Sequence, residues 1–364
     1  MYAIDTVFNI YSAVLILLLM LGLLQFVTKI KAINYFSAGM LALFAGLRGF
    51  QVGLDTKNYV QHFYTQQLSG NTADGFERGY IILERLVIKM GGSPTTLFMV
   101  ISIITLMLLA VFVTTNTEFG TFAIAYYYAR YFLSRDLNQI RQSLASVIVL
   151  YSLKYIVEKK FVKFSIVILI AMQFHTAAII MFPVYFIVGF FIESAEKGRI
   201  KRSIMLFLTT FIMSEVMSPV LSYVTGILDR GETYVTDTSN LGTSSMLTNV
   251  LIFNGFLVIL LIFYMHRNGN EISNNVKNFI EVYFVGFSIL LGLRNFPVAA
   301  ARLASLVNTI EIVVFFQAMD ALNVTKNKFV YVLLIMFFII GVYYLNVVSG
   351  GSVIDYLPYT ISIS

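Results

Sequence analysis

Three arginines stand close together in the middle of the chain, between two apolar runs that are each long enough to enter a bilayer. They are Arg130, Arg135 and Arg141, and they fall within residues 129–145. Arginine at or below a membrane surface is costly and usually faces a cavity or a charged partner. The stretch therefore predicts an anion-binding site at the edge of a membrane. The alternative is that these arginines only anchor helix ends by extending their charged groups to the surface.

A helix start is predicted inside the same stretch. Asp136 is followed three residues later by Gln139, which is the spacing of a capping box, so we expect a helix from about Leu137. Its unpaired backbone N–H groups and its positive dipole end would lie beside the arginines and would favour a bound anion.

The composition is that of a membrane protein. Of 364 residues, 58% are hydrophobic and 12% are charged, and the mean hydropathy is +0.82. Soluble domains carry about 25% charged residues. The net charge of +6 does not indicate nucleic acid binding, because most of it falls in short loops where it sets topology. With no cysteine, the chain has no disulfide and no thiolate metal site.

Apolar runs recur along the whole chain with gaps too short for a soluble domain, which predicts one membrane domain over residues 1–364. The longest polar interruptions are residues 51–93 and 225–245. Ser93-Pro94 has the form of an N-cap and first helical turn. The predicted single spans are 7–27, 33–50, 95–113, 119–133, 140–157, 203–224, 246–265, 279–293, 303–322 and 329–348.

The apolar run 164–192 decides the topology. One helix of that length would measure ~43 Å, whereas the hydrocarbon core of a bilayer is ~30 Å thick. Lysines and arginines flank both ends, and short basic loops stay in the cytoplasm, so the run must cross an even number of times. We therefore expect two short helices, broken or re-entrant near residues 173–176. The total is about twelve transmembrane helices with both termini outside.

This topology separates the 25 basic residues by type. Eleven lysines and three arginines fall on the inner side, whereas two lysines and nine arginines fall on or near the outer side. A topology signal alone does not distinguish lysine from arginine. Planar guanidinium groups are favoured where carboxylate or phosphate is held in a fixed geometry. The outer face is therefore predicted to bind anions.

Three further residues could act as acids or bases. Asp55 is a carboxylate beside the predicted membrane surface, where it could be a general base or a sugar ligand, or only a helix cap or a partner of Arg48. Glu77 lies seven residues before Glu84, on what could be one helical face. His175 falls at the predicted turn and is either structural or catalytic. No grouping of histidines and carboxylates has the spacing of metal ligands.

Two carboxylates, Glu215 and Glu311, fall inside predicted spans. A carboxylate within a membrane is costly and is a functional candidate by default. Each could pair with another buried residue or line the path of a substrate.

Together these residues resemble the EpsG family, the Wzy-like polymerases of bacterial surface polysaccharides. The resemblance rests on Arg48, residues 52–56 and Tyr59, Glu77 with Gly79 and Tyr80, Arg141 with Gln142 and Ala145, Phe174 with His175, Ala177 and Ala178, and Arg302. It is good from about residue 40 to residue 190 and weaker afterwards. Two positions depart from the pattern, Leu54 in place of threonine and Ala177 in place of serine, and neither is a charged position.

The resemblance implies a GT-C-like glycosyltransferase of the bacterial inner membrane with its active site facing the periplasm. Its implied substrates are oligosaccharide repeat units linked to undecaprenyl pyrophosphate, and its implied product is O-antigen or exopolysaccharide. We expect no metal or other cofactor, and we expect the lipid bilayer and a chain-length regulator protein as partners.

Each candidate residue then has an expected role. The departing pyrophosphate would be bound by fixed cations. We assign this role to Arg48, Arg135, Arg141 and Arg302, with Arg130 and Arg294 as second choices. The base for the incoming sugar hydroxyl would be Asp55, with Glu77 and His175 as alternatives, and the sugar-stacking residues would include Tyr59, Tyr64 and Tyr80.

Three other functions fit parts of the pattern. A flippase for the same lipid-linked sugar would also have about twelve spans, but its basic residues should continue inward past the midplane. An O-antigen ligase would use the same donor with a different acceptor. A membrane O-acyltransferase would need a histidine that an acyl donor can reach, and the chain has three histidines.

Overall fold

The computed structural model describes residue 7 and residues 9–70, 75–192, 196–227, 243–268, 272–321, 328–349 and 352–362. Within these ranges the chain is helical, and its extended pairing is limited to an isolated antiparallel bridge between Arg48 and Ile361. The predicted all-α class is confirmed at this level.

Fifteen α-helices are numbered here in chain order. They are α1 (Ile10–Thr28), α2 (Ala32–Gly46), α3 (Thr56–Ser69), α4 (Arg78–Lys89), α5 (Pro94–Asn116), α6 (Gly120–Tyr127), α7 (Ile140–Val157), α8 (Phe161–Met172), α9 (Met181–Ile192), α10 (Glu196–Ile227), α11 (Thr243–Asn268), α12 (Asn274–Gly292), α13 (Pro297–Asn308), α14 (Glu311–Ala321) and α15 (Lys328–Tyr343). Between α6 and α7 the chain forms a π-helical turn, Tyr128–Phe132, and a short α-helical turn, Leu133–Arg135. A second π-helical turn, Tyr344–Val348, extends α15.

Several helices have the length and composition of membrane spans. Within the described residues, five are long and apolar enough to cross a membrane, namely Ile10–Thr28, Pro94–Asn116, Ile140–Val157, Asn249–Arg267 and Phe329–Val348. Three shorter apolar helices are Ala32–Gly46, Phe161–Met172 and Thr176–Phe190. The chain is a multi-pass membrane protein.

The predicted start of α5 is confirmed. The Ser93 hydroxyl accepts a hydrogen bond from the Thr96 backbone N–H, and the Thr96 hydroxyl accepts one from the Ser93 N–H. Pro94 follows at the first helical position, where its missing N–H costs nothing. These contacts satisfy backbone donors that the first turn of a helix otherwise leaves unpaired.

The predicted break in the run 164–192 is also confirmed. Helix α8 ends at Met172, a 3₁₀ turn covers Thr176–Ile180, and α9 begins at Met181. Pro183 lies in the first turn of α9, which tolerates proline because its N–H groups have no partner within the helix.

The predicted span 303–322 is wrong as a single helix. Helix α13 ends at Asn308, and α14 begins at Glu311. The Thr309 hydroxyl donates to the Ser305 carbonyl at 2.7 Å, and hydrogen bonds of this type bend helices. Glu311 then lies in the first turn of α14, where its negative charge suits the positive end of the helix dipole.

The chain divides into two compact units, each of which is described by itself. The first comprises Met1–Ile148, Ile170–Thr176 and Asn323–Ser364, and in it α2 packs along α5 and α1 packs against α6. The second comprises Val149–Leu169 and Ala177–Leu322, and in it α12 packs against α10 and α13. The single membrane domain stays a prediction.

The two predicted polar segments differ in what the structure describes. Residues 51–93 contain α3 and α4, which pack on each other and on α5 in the first unit. Their apolar faces, with Phe63, Tyr80 and Phe98, form one buried cluster. Most of the segment 225–245 lies outside the described residues.

Candidate functional site

Arg141 lies at the centre of a cluster of charged and aromatic side chains. It occupies the first turn of α7, and its guanidinium group pairs with the carboxylate of Glu77. The same group lies 4.3 Å from the ring centroid of Phe76, 5.8 Å from that of Tyr59 and 6.0 Å from that of Tyr80. Aromatic faces attract a cation at these distances. The cluster therefore holds a fixed positive charge in a partly desolvated position.

Glu77 links this cluster to the break between α8 and α9. One carboxylate oxygen accepts the hydrogen bond from Arg141, and the other accepts one from the Thr176 backbone N–H at 3.1 Å. Two residues later, the Gly79 N–H donates to the Gln173 carbonyl at 2.9 Å. Both oxygens of Glu77 are engaged, so its observed role is to join α4, α7 and the turn that follows α8.

Arg48 is fully buried in the segment between α2 and α3. Its guanidinium group lies 4.3 Å from the ring centroid of Phe98, and its Nη1 donates to the Ala45 carbonyl at 2.7 Å. Its Nε lies 3.4 Å from the hydroxyl of Thr56. Within the described residues, its Nη2 is buried and makes no hydrogen bond. One donor of this cation is therefore uncommitted.

The segment with Asp55 lies against the turn that precedes α7. Gly53 has a left-handed backbone with a φ of +86°, and a Cβ there would lie 2.2 Å from the Leu137 carbonyl oxygen. A side chain would therefore be strained and would also clash. The Asp55 N–H donates to the Asn138 side chain at 2.7 Å. Asp55 directly precedes α3 and makes no side-chain cap to it.

The predicted capping box at Asp136 is wrong. Both oxygens of this carboxylate accept side-chain hydrogen bonds, from the Tyr127 hydroxyl at 2.7 Å and from the Ser143 hydroxyl at 2.9 Å. The N–H of Gln139 bonds instead to a carbonyl of the preceding helical turn, and α7 begins at Ile140. The Asp136 carboxylate therefore accepts hydrogen bonds from side chains of α6 and α7 and not from the backbone N–H of Gln139.

Asp136 also connects two of the predicted arginines. Its burial raises its pKa to about 6, although hydrogen bonds from Tyr127 and Ser143 and the charges of Arg135 and Arg48 all lower it. The carboxylate therefore lies within electrostatic reach of two buried guanidinium groups.

Arg130 and Arg135 both contact one tyrosine across the π-helical turn. The guanidinium groups lie 5.6 Å and 3.8 Å from the ring centroid of Tyr131. Arg130 also donates to the Asn346 side chain at 2.6 Å, which ties it to the second π-helical turn. Arg130 is half-buried, and Arg135 is buried.

Tyr59 is the side chain on which several predicted residues converge. Burial raises its pKa; Arg141 and Arg48 lower it, and Asp55 raises it. These groups therefore lie within electrostatic reach of its hydroxyl. Burial likewise raises the pKa of Tyr80 well above its ordinary value. Both phenols are neutral near pH 7.

His175 and His62 lie in different surroundings. His175 is half-buried in the turn after α8, next to the residue whose N–H binds Glu77. His62 on α3 is buried, and its Nδ1 lies 3.0 Å and 2.9 Å from the two carboxylate oxygens of Glu84 on α4. Its ring centroid lies 4.0 Å from that of Phe76. This pair therefore adjoins the Arg141 cluster.

The His62–Glu84 pair was not predicted from the sequence. Burial raises the pKa of Glu84, and the hydrogen bond from His62 lowers it. A signal existed, because Tyr59, His62 and Gln66 recur at helical spacing, and Tyr80 and Glu84 lie one turn apart. Across the described ranges, no three histidine, aspartate or glutamate side chains lie together in the manner of metal ligands.

Two predicted arginines belong to the second unit. Arg294 pairs with Glu215, donates to the Phe211 carbonyl at 3.1 Å and lies 3.8 Å from the Phe211 ring centroid. Arg302 is a half-buried residue of α13. The expectation that Arg302 joins the arginines of the first unit stays a prediction.

Comparison with known proteins places the chain in a family. No curated protein and no solved structure matches it. The model of the EpsG family matches residues 31–361, which include every candidate residue described above. The chain therefore belongs to the EpsG family, a family of Wzy-like polysaccharide polymerases.

Proposed function

We propose that this protein is a membrane glycosyltransferase that polymerises oligosaccharide repeat units linked to undecaprenyl pyrophosphate. It joins them into O-antigen or exopolysaccharide at the periplasmic face of the inner membrane. The proposal includes about twelve transmembrane helices in a GT-C-like arrangement. Family membership supports the polymerase class, and the chemistry of the Arg141 cluster supports the donor.

One observation carries the proposal: within the described residues, two guanidinium groups each keep one buried donor that makes no hydrogen bond. Nε of Arg141 and Nη2 of Arg48 are buried and make no hydrogen bond within the described ranges. A buried charged donor without a partner is costly. A guanidinium group has five N–H donors, so each arginine can hold its protein partners and one further anion. A lipid-linked pyrophosphate has the charge and the oxygen atoms to accept these bonds.

The arginines would act mainly as the donor sugar leaves. Negative charge grows on the pyrophosphate oxygen during this step, and fixed cations in a desolvated site stabilise it. Each charge-assisted hydrogen bond contributes roughly 1.5–3 kcal/mol. Arg141, Arg48, Arg135 and Arg302 are the first candidates for this role. Arg130 and Arg294 are the second choices.

Asp55 is the proposed base. The acceptor hydroxyl loses its proton to this carboxylate while its oxygen forms a bond to the anomeric carbon of the donor. The bond from that carbon to the pyrophosphate breaks at the same time, and the pyrophosphate takes the electron pair. This single displacement inverts the anomeric centre. Glu77 is the alternative base, and both of its oxygens accept hydrogen bonds in the structure.

The proposed reaction needs no metal ion. Pyrophosphate is already a good leaving group, and the guanidinium charges supply the stabilisation that a divalent cation gives in other phosphate chemistry. Tyr59 and Tyr80 would contact the sugars beside the arginines. Tyr64, whose side chain is exposed, is the further stacking candidate.

The test replaces Arg141 and Asp55 singly in the native host and separates the surface polysaccharide on a gel. We expect Arg141→Ala and Asp55→Asn to leave single repeat units without a ladder. Arg85→Ala is the matched control, because Arg85 is an exposed arginine on the neighbouring α4 and should leave the ladder intact. Undiminished ladders in the Arg141 variant would refute the mechanism, and complete loss of surface sugar would favour a flippase.

A further inference from the structure

We propose that the segment Ser352–Ser362, here called the C-terminal strap, positions Arg48 and is part of the site. The inference rests on the proposed function for the role of Arg48, but the contacts that define it do not. The strap follows the last apolar helix, and it contacts the segment between α2 and α3 in the first unit. Its charged residue, Asp355, has no role among the sequence-based predictions.

Backbone hydrogen bonds fix the chain on both sides of Arg48. The Gly49 N–H donates to the Thr360 carbonyl at 2.7 Å, and the Ser362 N–H donates to the Leu47 carbonyl at 2.9 Å. Arg48 and Ile361 thereby form an antiparallel bridge. A bridge of this type sets the direction in which the intervening side chain leaves the backbone. The strap therefore orients the Arg48 side chain.

The strap approaches position 49 so closely that any side chain there would require Thr360 to move. A Cβ on Gly49 would lie 2.0 Å from the Thr360 hydroxyl oxygen and 3.0 Å from the Thr360 Cβ. The strap also reaches the start of the Asp55 region, because the Gly53 N–H donates to the Asp355 carbonyl at 3.3 Å. One short segment thus holds both ends of the loop that carries Arg48.

The strap is itself fixed to the first two helices. The Tyr359 ring stacks on Phe44 with 4.3 Å between centroids, and the Tyr359 hydroxyl donates to the Phe44 carbonyl at 2.6 Å. The Tyr11 hydroxyl donates to the Tyr356 carbonyl at 2.6 Å. Because α1 and α2 hold the strap, the strap can fix the position of the loop that carries Arg48.

The ring of Phe98 and two hydrogen bonds hold the guanidinium group of Arg48, and the strap sets the position of its backbone. This guanidinium group makes one short hydrogen bond, to Ala45, and a long one to Thr56. A charged group must lie within about 0.5 Å of its productive position to stabilise a transition state. Without the strap, the loop could rotate Arg48 away from the Arg141 cluster while the apolar helices remained folded.

The contact can be tested without any activity. The chain contains no cysteine, so paired cysteines can be introduced into the natural sequence. The hydroxyl oxygens of Thr95 and Ser362 lie 3.3 Å apart, and Thr95→Cys with Ser362→Cys should form a disulfide in native membranes. Thr96→Cys with Ser362→Cys is the matched control and should not. Failure of the first pair to cross-link would overturn the proposal.

Release of the loop can be measured by thiol labelling. Val52 is 1% exposed and Leu41, within α2, is fully buried. In the full chain, cysteine at either position should react slowly. In a chain that ends at Ser349, Val52→Cys should become reactive and Leu41→Cys should not. Equal protection of Val52→Cys in both chains, or equal exposure of both cysteines in the shortened chain, would contradict the proposed positioning.

Coupling to Arg48 requires an activity measurement. Gly49→Ala should lower polymer formation by about tenfold or more, because a small misplacement of a charged group is costly. Thr360→Gly in the same chain should restore most of it by removing the clash. In a chain that already carries Arg48→Lys, Gly49→Ala should cause little further loss of polymer formation. In a chain that carries Arg141→Lys, Gly49→Ala should cause the same fold loss as in the unaltered protein.

The outcomes separate the two proposals. If Gly49→Ala causes the same fold loss with Arg48→Lys as with Arg141→Lys, its effect is a general structural one. That result would overturn the proposed positioning of Arg48. If the unaltered protein forms no polymer, the proposed function fails, while the cross-link and the labelling still decide whether the strap holds the loop.

Discussion

Two arginine–glutamate pairs of the same chemistry lie in different surroundings. In the first unit, Arg141 pairs with Glu77, and three aromatic rings lie within 6.0 Å of its guanidinium group. In the second unit, Arg294 pairs with Glu215, whose side chain is 66% exposed. An exposed ion pair contributes little, because water screens it. Arg294 also lies against an aromatic ring, that of Phe211. The lower exposure of Glu77 and the buried Nε of Arg141, which makes no hydrogen bond within the described residues, are therefore what distinguish the first pair.

The largest expected difference between the pairs is in activity. Arg141→Ala should lower polymer formation on the order of 10²–10³-fold, the cost of removing one donor to a developing oxyanion. Arg294→Ala should cost less, because its partner Glu215 is 66% exposed and water screens the charges of this pair. The measurement is the rate of polymer formation by isolated membranes supplied with lipid-linked repeat units. Equal losses would remove the distinction between the two pairs.

A second difference is expected in stability. Glu77→Gln should weaken the bond to Arg141 and the junction with Thr176, at a cost of about 1–3 kcal/mol. Glu215→Gln should cost about 0–1 kcal/mol, as for exposed ion pairs. Thermal unfolding in detergent, followed for both variants beside the unaltered protein, gives the comparison. A larger shift for Glu215→Gln would contradict it.

The smallest expected difference concerns two buried pairs. His62 and Glu84 make two contacts of 3.0 Å or less, whereas Arg199 and Glu281 in the second unit approach to 3.4 Å. Because the His62 ring packs on Phe76, Glu84→Gln should lower polymer formation severalfold by loosening the cluster around Arg141.

Glu281→Gln is the matched control for that prediction. It also removes a buried carboxylate charge, but in the second unit, and it should lower thermal stability more than it lowers polymer formation per folded molecule. Similar activity losses in both variants would show that any buried charge, and not its contact with the cluster, determines the result.

Local signals in the sequence predicted local structure well. The break in 164–192 followed from the length of the run and its basic flanks, and the start of α5 followed from Ser93 and Pro94. These features depend on residues within one or two turns of each other. The class of the protein and its family were predicted in the same way, from composition and short motifs.

Non-local contacts were not predictable in this way. Asp136 had the spacing of a cap, but Tyr127 and Ser143 bind it from two different helices. His62 meets Glu84 only because α3 and α4 pack together. Nothing in the sequence of the strap indicates that it reaches Arg48, since the two are joined by backbone atoms, which every residue carries.

Because of the π-helical turn Tyr128–Phe132, the contacts of Arg130 and Arg135 with Tyr131 depend on the number of residues in the turn. In an α-helix, side chains three or four residues apart share a side, whereas a turn with i→i+5 bonds brings residues five apart together. Arg130 and Arg135 are five apart and meet on the ring of Tyr131. Deleting one residue from this turn would leave both arginines in the chain and separate them around the helix. The meeting of these two cations is therefore set by an extra residue in the backbone as much as by the identity of the side chains.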